Sequence, residues 1–322
     1  MIAALKVATT ARRAAGVVVA LLLADCAAQS LSPAGGPPGI SAAHVDHRPS
    51  WMARDAKKKR QHLLYVSDDG TNDVYVYSYP QGALQGTLTG FSFPEGECVD
   101  KKGDIFVANN EAQTILEYAH GGATPIATLS DAGYFPVGCS VDTVTGNLAV
   151  ANTYDTSFSS GSIAIYQKAT GKPTYYTDAV LVYPHFCGYD GLGNLYLDGI
   201  NGDFSFAFAD LPKGSSIFTN VTLNQSIGFP GQVQWDGRYV AVADDDVNTI
   251  YQFTIRGTSG TKAGSTPLNG ARGVAQFWIA GSKVIGPDTL NAGVGFWNYP
   301  AGGSEIKTIS GLNQPFGATV SK

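Results

Sequence analysis

The chain repeats itself. Six segments share one plan: HLLYVSDDGTNDVYVYSYPQG, GDIFVANNEAQTILEYAHGG, GNLAVANTYDTSFSSGSIAIYQKATG, GNLYLDGINGDFSFAFADLPKG, RYVAVADDDVNTIYQFTIRGTSG and SKVIGPDTLNAGVGFWNYPAGG. Each is a short apolar run, then Asp, Asn or Gly, then a second apolar run with aromatics, then a Gly turn. That pattern reads as two β-strands around a polar loop. A leading strand precedes five of them: PEGECVD from Pro94, PVGCSVD from Pro136, PHFCGYD from Pro184, PGQVQWD from Pro230, and a weaker copy, ARGVAQF, from Ala271. These starts lie 42, 48, 46 and 41 residues apart. A four-stranded propeller blade takes about 40–50 residues, and stretches such as GTLTGF, PIATLS and EIKTIS supply the fourth strand. The first segment has no leading strand of its own, while Pro315–Val320 is a leading strand without a following segment. The expected fold is therefore all-β: a six-bladed β-propeller over residues 62–322, its C-terminal strand closing the N-terminal blade and hiding the sheet edges.

The head of the chain reads differently. Lys6, Arg12 and Arg13 precede an apolar run, Ala14–Ala24, too short to span a bilayer as a helix, so residues 1–28 are expected to be a secretory signal peptide. Leu23-Ala24-Asp25-Cys26 resembles a bacterial lipobox, which makes Cys26 a lipidation candidate; cleavage after Ala28 is the rival. Residues 29–61 are rich in Pro, Gly, Ala and Ser, end in Lys57, Lys58, Lys59 and Arg60, and are expected to form a flexible linker. Residues 61–322 carry 12 Lys+Arg against 23 Asp+Glu, a net charge near −11, which argues against nucleic acid as a partner.

Leu64-Tyr65-Val66-Ser67-Asp68, through Asn72, to Val74-Tyr75-Val76-Tyr77 resembles an NHL-type repeat. Six such units are similar to the six-bladed NHL and gluconolactonase-like propellers, and the leader, linker and propeller together resemble exported bacterial NHL-type proteins. Gluconolactonase-like enzymes use a Glu, Asn and Asp set at the tunnel. The resemblance implies Glu95 or Glu97, Asn152 and Asp244 as stand-ins, with Ca²⁺ as the cofactor.

Propeller topology places the loop into the innermost strand and the loop between strands two and three on one face. Aligned on the Pro position, the next residues are Glu95, Val137, His185, Gly231, Arg272 and Phe316. Glu95, His185 and Arg272 are thus expected at the mouth of the channel, with Glu97, Asn110, Asn152 and Asp244 as further binding candidates. The strand-two-to-three loops offer Asp68, Asp69, Asn109, Asn110, Asn152, Asp198, Asp244, Asp245, Asp246 and Asp288. An inward ring of such oxygens suits Ca²⁺, which takes six to eight oxygen ligands. Recurrence in nearly every blade equally suits turn residues bonding their own backbone.

Cys98, Cys139 and Cys187 fall on innermost strands and read as buried small hydrophobes. Cys139 and Cys187 sit three residues after their Pro, and Cys98, one further on, is expected to face the other way. No H-E-x-x-H, G-x-S-x-G or Walker loop is present. The leading expectation is an exported, monomeric binding or interaction module of the cell envelope, periplasmic, outer-membrane-associated or extracellular. Its partner would be a protein, glycan or small molecule, with membrane contact only through an N-terminal lipid. The alternative is a Ca²⁺-dependent hydrolase or lactonase.

Overall fold

A computed structural model describes residues 49–58 and 60–322. The leader, Cys26 and most of the linker lie outside the described residues. Among those described there is no α-helix, and no helix is long and apolar enough to cross a membrane.

Six sheets form a six-bladed propeller. From the axis outward, blade 2 is Pro94–Val99, Ile105–Asn109, Thr114–Tyr118 and Pro125–Ser130, and blade 3 is Tyr134–Val141, Leu148–Asp155, Ser162–Tyr166 and Thr174–Tyr176. Blade 4 is Tyr183–Tyr189, Leu195–Ile200, Phe206–Leu211 and Thr219–Asn220. Blade 5 is Pro230–Trp235, Val240–Asp244, Thr249–Arg256 and Ser259–Asn269; blade 6 is Trp278–Ala280, Lys283–Asp288, Gly293–Asn298 and Lys307–Ser310. Blade 1 takes its innermost strand, Pro315–Ser321, from the C-terminal end of the chain, followed by Leu63–Asp68, Asp73–Ser78 and Leu84–Leu88.

Blade 1 has a fifth strand. Trp51–Met52 pairs antiparallel with Leu84–Leu88, and the 3₁₀ turn Arg54–Lys57 buries Ala56 completely. Regular structure is therefore present at 51–57, ahead of residue 62, where the sequence places the start of the propeller. The edge of a blade is a row of open hydrogen-bonding groups, and this short strand covers it.

Both faces of each blade are buried, so strands such as LLYVSD read as unbroken apolar runs rather than alternations. Each interface between neighbouring blades holds its own apolar cluster. Phe106, Leu148 and Val150 lie between blades 2 and 3; Leu64, Ile285, Phe296 and Val320 close blade 6 on blade 1. Near the axis the blades crowd. A Cβ on Gly96 would stand 2.3 Å from the Val137 carbonyl oxygen of blade 3, and one on Gly317 the same distance from the Glu95 carbonyl oxygen of blade 2. The recurring Pro-x-Gly is thus a packing requirement at the channel wall.

Register corrects one cysteine reading. Cys98 and Cys139 form a disulfide with a Cα–Cα separation of 5.7 Å. Cys98 pairs across its hairpin with Phe106, and Cys139 with Val150. Counted from Asn109 and Asn152, these are three and two residues back. The one-residue offset turns Cys98 toward blade 3 and Cys139 back toward blade 2. Cys187 shares the parity of Cys139, faces Ala149 of blade 3, and stays a free, buried thiol.

Candidate functional site

The site is built from one repeated device on the upper face, where the chain enters each innermost strand. In five blades that strand carries a β-bulge just after its Pro, with one extra residue against the neighbouring strand. Glu95, Val137, His185, Gly231 and Phe316 occupy it. Blade 6 departs from the expected alignment. Thr289 N–H donates to Gly273 O, as Asn110 N–H does to Phe93 O and Asp245 N–H to Phe229 O, so Val274 stands where the other blades have Pro. Arg272 is therefore an exposed loop residue, not a member of the bulge ring, and Ala275 takes that level. The copy beginning at Ala271 lies three residues ahead of the observed register, and residues 271–277 form no strand.

The recurring Asp and Asn residues fasten these loops. Asp68 accepts from Asn313 and Gln314 N–H, Asn109 from Ser92 N–H, Asp244 from Gly228 and Phe229 N–H, and Asp288 from Arg272 N–H. In blades 2, 3 and 6 the residue after the Asp or Asn reaches the next blade. Asn110, Thr153 and Thr289 donate to the carbonyl oxygens of Pro136, Pro184 and Pro315 at 3.1, 2.8 and 2.8 Å. Asn152 gives its amide to Ser162 within its own blade. Of the three stand-ins for a Ca²⁺ set, Asp244 is turned into its own loop and Asn152 onto its own hairpin. No group of three His, Cys, Asp or Glu side chains converges on a metal position among the described residues.

The two glutamates part company. Glu95 sits at the mouth, nearly buried, with Oε2 unpartnered. Glu97 is fully buried; its register is that of Cys139 and Cys187, which turns it toward blade 1, and neither carboxyl oxygen has a hydrogen-bond partner. Burial raises both pKa values, with the Asp69 charge adding to the effect at Glu95. Asp198, grouped by sequence with the turn residues, stands one position inward, since Gly199 is the residue paired with Pro184. It is fully buried, holds Phe186 N–H, and its pKa is likewise driven up by burial. His185 donates from Nδ1 to Tyr183 O at 2.9 Å and lies edge-on to Phe229; burial lowers its pKa to about 4, so the ring is neutral at pH 7.

The channel is filled. Phe186 of blade 4 and Phe316 of blade 1, from opposite sides of the ring, stack with centroids 6.2 Å apart. Below them Gln276, fully buried, bonds Glu97 N–H, Glu97 O, Ala318 N–H and Gln232 Oε1, tying blades 1, 2, 5 and 6. A cavity of about 170 Å³ remains at the lower end, lined by Tyr189, Trp235, Trp278 and the disulfide.

A feature the sequence did not disclose lies on the rim. Every strand-two-to-three loop holds one non-glycine residue in the left-handed region: Asn72, Gln113, Phe158, Phe204, Asn248 and Ala292. In blades 1, 2 and 5 its side-chain oxygen accepts from the next blade, Asn72 from Phe93 N–H, Gln113 from Gly133 N–H and Asn248 from Val274 N–H. Blades 3 and 4 place Phe there, a bulky type poorly suited to that backbone, and leave the residues 44% and 58% exposed. Phe135, Phe158, Tyr154, Tyr183 and Phe204 then form a continuous aromatic ridge, with successive centroids 5.4, 6.0, 5.3 and 6.0 Å apart. The Asn pattern of the other loops was the available signal, and Phe at its place was the exception to look for.

No family model matches the chain, and no curated protein matches it. Among solved structures, a chain of a nidogen/laminin complex superposes with a TM-score of 0.68 at 13% identity, over 81% of this chain and 98% of that one. A functionally unknown protein from Desulfotomaculum acetoxidans DSM 771 superposes with a TM-score of 0.58 at 9% identity, over 80% and 98%. At such identities the likeness is one of fold.

Proposed function

We propose that the protein is a non-enzymatic recognition module whose binding surface is the upper rim of blades 3 and 4. One observation carries the reading: two adjacent blades replace the inter-blade Asn or Gln latch with exposed Phe rings held in left-handed backbone. Backbone strain of this kind costs about 1–3 kcal/mol and is retained where it serves a site. Exposed aromatics are also the residues that dominate binding energy when a partner covers them. The filled channel, and the loop carboxylates Asp68, Asp244 and Asp288 that bond their own lead-in loops, leave no convergent group of three carboxylate, His or Cys side chains among the described residues, so the hydrolase alternative is not favoured.

The finer reading is an exported, NHL-type propeller acting as a monomer in the cell envelope. Its support is the leader-like first 28 residues and the strand, Asp68, Asn72, strand pattern, in which both residues fasten blade loops. Mass spectrometry of the mature N-terminus tests export, and a terminus beyond Cys26 removes lipidation. For the surface, a photo-cross-linking residue at position 204 is expected to trap a partner in cells. The same residue at Leu192, exposed on the opposite face, is expected to trap none. Equal yields from both positions, or none from 204, overturn the reading.

A further inference from the structure

Blade 4 is unfinished. Its third strand, Phe206–Leu211, meets a fourth strand only at Ala209↔Asn220 and Asp210↔Thr219. In blade 2 the fourth strand covers the third from Thr114 to Tyr118. After Asn220 the chain leaves: Val221 N–H still donates to Phe208 O, but Thr222–Leu223 pair in parallel with Ser259–Gly260 of blade 5. The upper end of the third strand is therefore an open edge. Outward and inward groups alternate along an antiparallel strand. Since the Phe208 carbonyl faces outward, Phe206 turns both its N–H and its C=O outward, beyond the reach of the two-residue partner strand.

Beside that edge lies a cavity of about 440 Å³ with a mixed lining, whose apolar part includes Val180, Phe206, Phe208, Val221, Leu223 and Ile227. Two carboxylates are fixed next to its lining. Asp178 accepts from the N–H groups of Val180, a lining residue, and of Leu181; Asp203 accepts from the N–H of Ser205, also a lining residue, which Asn201 Oδ1 holds as well. The upper loops of blades 3 and 4, at 131–133, 156–161, 177–182 and 201–205, contain no Lys or Arg. Lys262, on the blade 5 side, is already held by Gln225 and the Tyr251 ring.

We propose that this edge receives an extended polypeptide segment of a partner, added as a strand to blade 4, with alternate apolar side chains in the cavity and basic side chains toward Asp178 and Asp203. An unpaired strand edge supplies backbone hydrogen bonds that only an extended chain can complete, and side chains on one side of a strand recur every second residue. The two carboxylates next to the lining select positive charge on the others. The proposal rests on the upper rim being a recognition surface, and names the chemistry of its partner.

The probe is the capped hexapeptide Lys-Val-Lys-Val-Lys-Val, titrated into the mature full chain by calorimetry. It is expected to saturate and to slow amide hydrogen exchange at Phe206 at least tenfold. N-methylation of alternate peptide nitrogens, tried in both registers, is expected to weaken binding about tenfold in one of them. Glu in place of Lys is expected to weaken it similarly, as is Val180→Lys, a surface change that leaves the melting temperature unmoved. No binding at millimolar peptide, indifference to N-methylation in both registers, or protection elsewhere overturns the proposal. If the position-204 cross-link fails while the peptide binds as described, the edge stands and the ridge falls. If the cross-link succeeds and the peptide does not bind, the reverse holds.

Discussion

Single residues in this propeller are fixed by how close the blades come. Gly96→Ala places a methyl against the Val137 carbonyl oxygen, and overpacking of this kind costs about 1–3 kcal/mol. Urea unfolding of the variant is expected to show that loss. The buried carboxyls give the stability a pH dependence. Burial raises Asp69 to about 7 and Asp245 and Asp131 each to about 6, and drives Glu95, Glu97 and Asp198 up as well. A carboxyl with a raised pKa keeps its proton in the folded state after the unfolded chain has released it. Stability is thus full below the unfolded value, near pH 4, and falls as pH rises through 6–7. Glu97→Gln removes one of these groups, so the difference in urea midpoint between pH 5 and pH 8 is expected to shrink. Sequence showed Glu95 and Glu97 as the carboxylates without counterparts in other blades. It did not show that bulge parity sends one to the mouth and the other into the interface with blade 1.

Elements differ in how far the sequence revealed them. The hairpins are legible because an Asp or Asn stands between two apolar runs, and in four blades Asp68, Asn109, Asp244 or Asp288 bonds its own lead-in loop. Blade 6 was misaligned because its lead-in, Ala271–Phe277, is irregular and lends Gln276 to the channel instead of pairing. The disulfide was half visible: the opposite facing of Cys98 was apparent, and that facing is what lets it meet Cys139. It joins two blades across 41 residues. Its removal in Cys98→Ala/Cys139→Ala is expected to lower unfolding free energy by about 2–4 kcal/mol. Guanidinium titration of oxidised wild type against the double variant measures the difference. On the rim, Phe158→Asn and Phe204→Asn restore a residue that tolerates left-handed backbone. The pair is expected to raise the melting temperature, and Phe158→Asn alone to abolish the cross-link from position 204, the trade expected of a strained binding surface.

At the scale of the molecule the ring depends on its closing strand. Pro315–Ser321 supplies five pairings to Leu63–Asp68, and Ala318 joins the Gln276 hub. Deleting residues 315–322 is expected to abolish the cooperative melt, because blade 1 would lose its inner strand and blade 6 its neighbour. That dependence sets an order of events. Blade 1 is the first written in the chain and the last completed, since its inner strand arrives more than two hundred residues after the strand it pairs with. Until then the nascent polypeptide has no route to a closed ring.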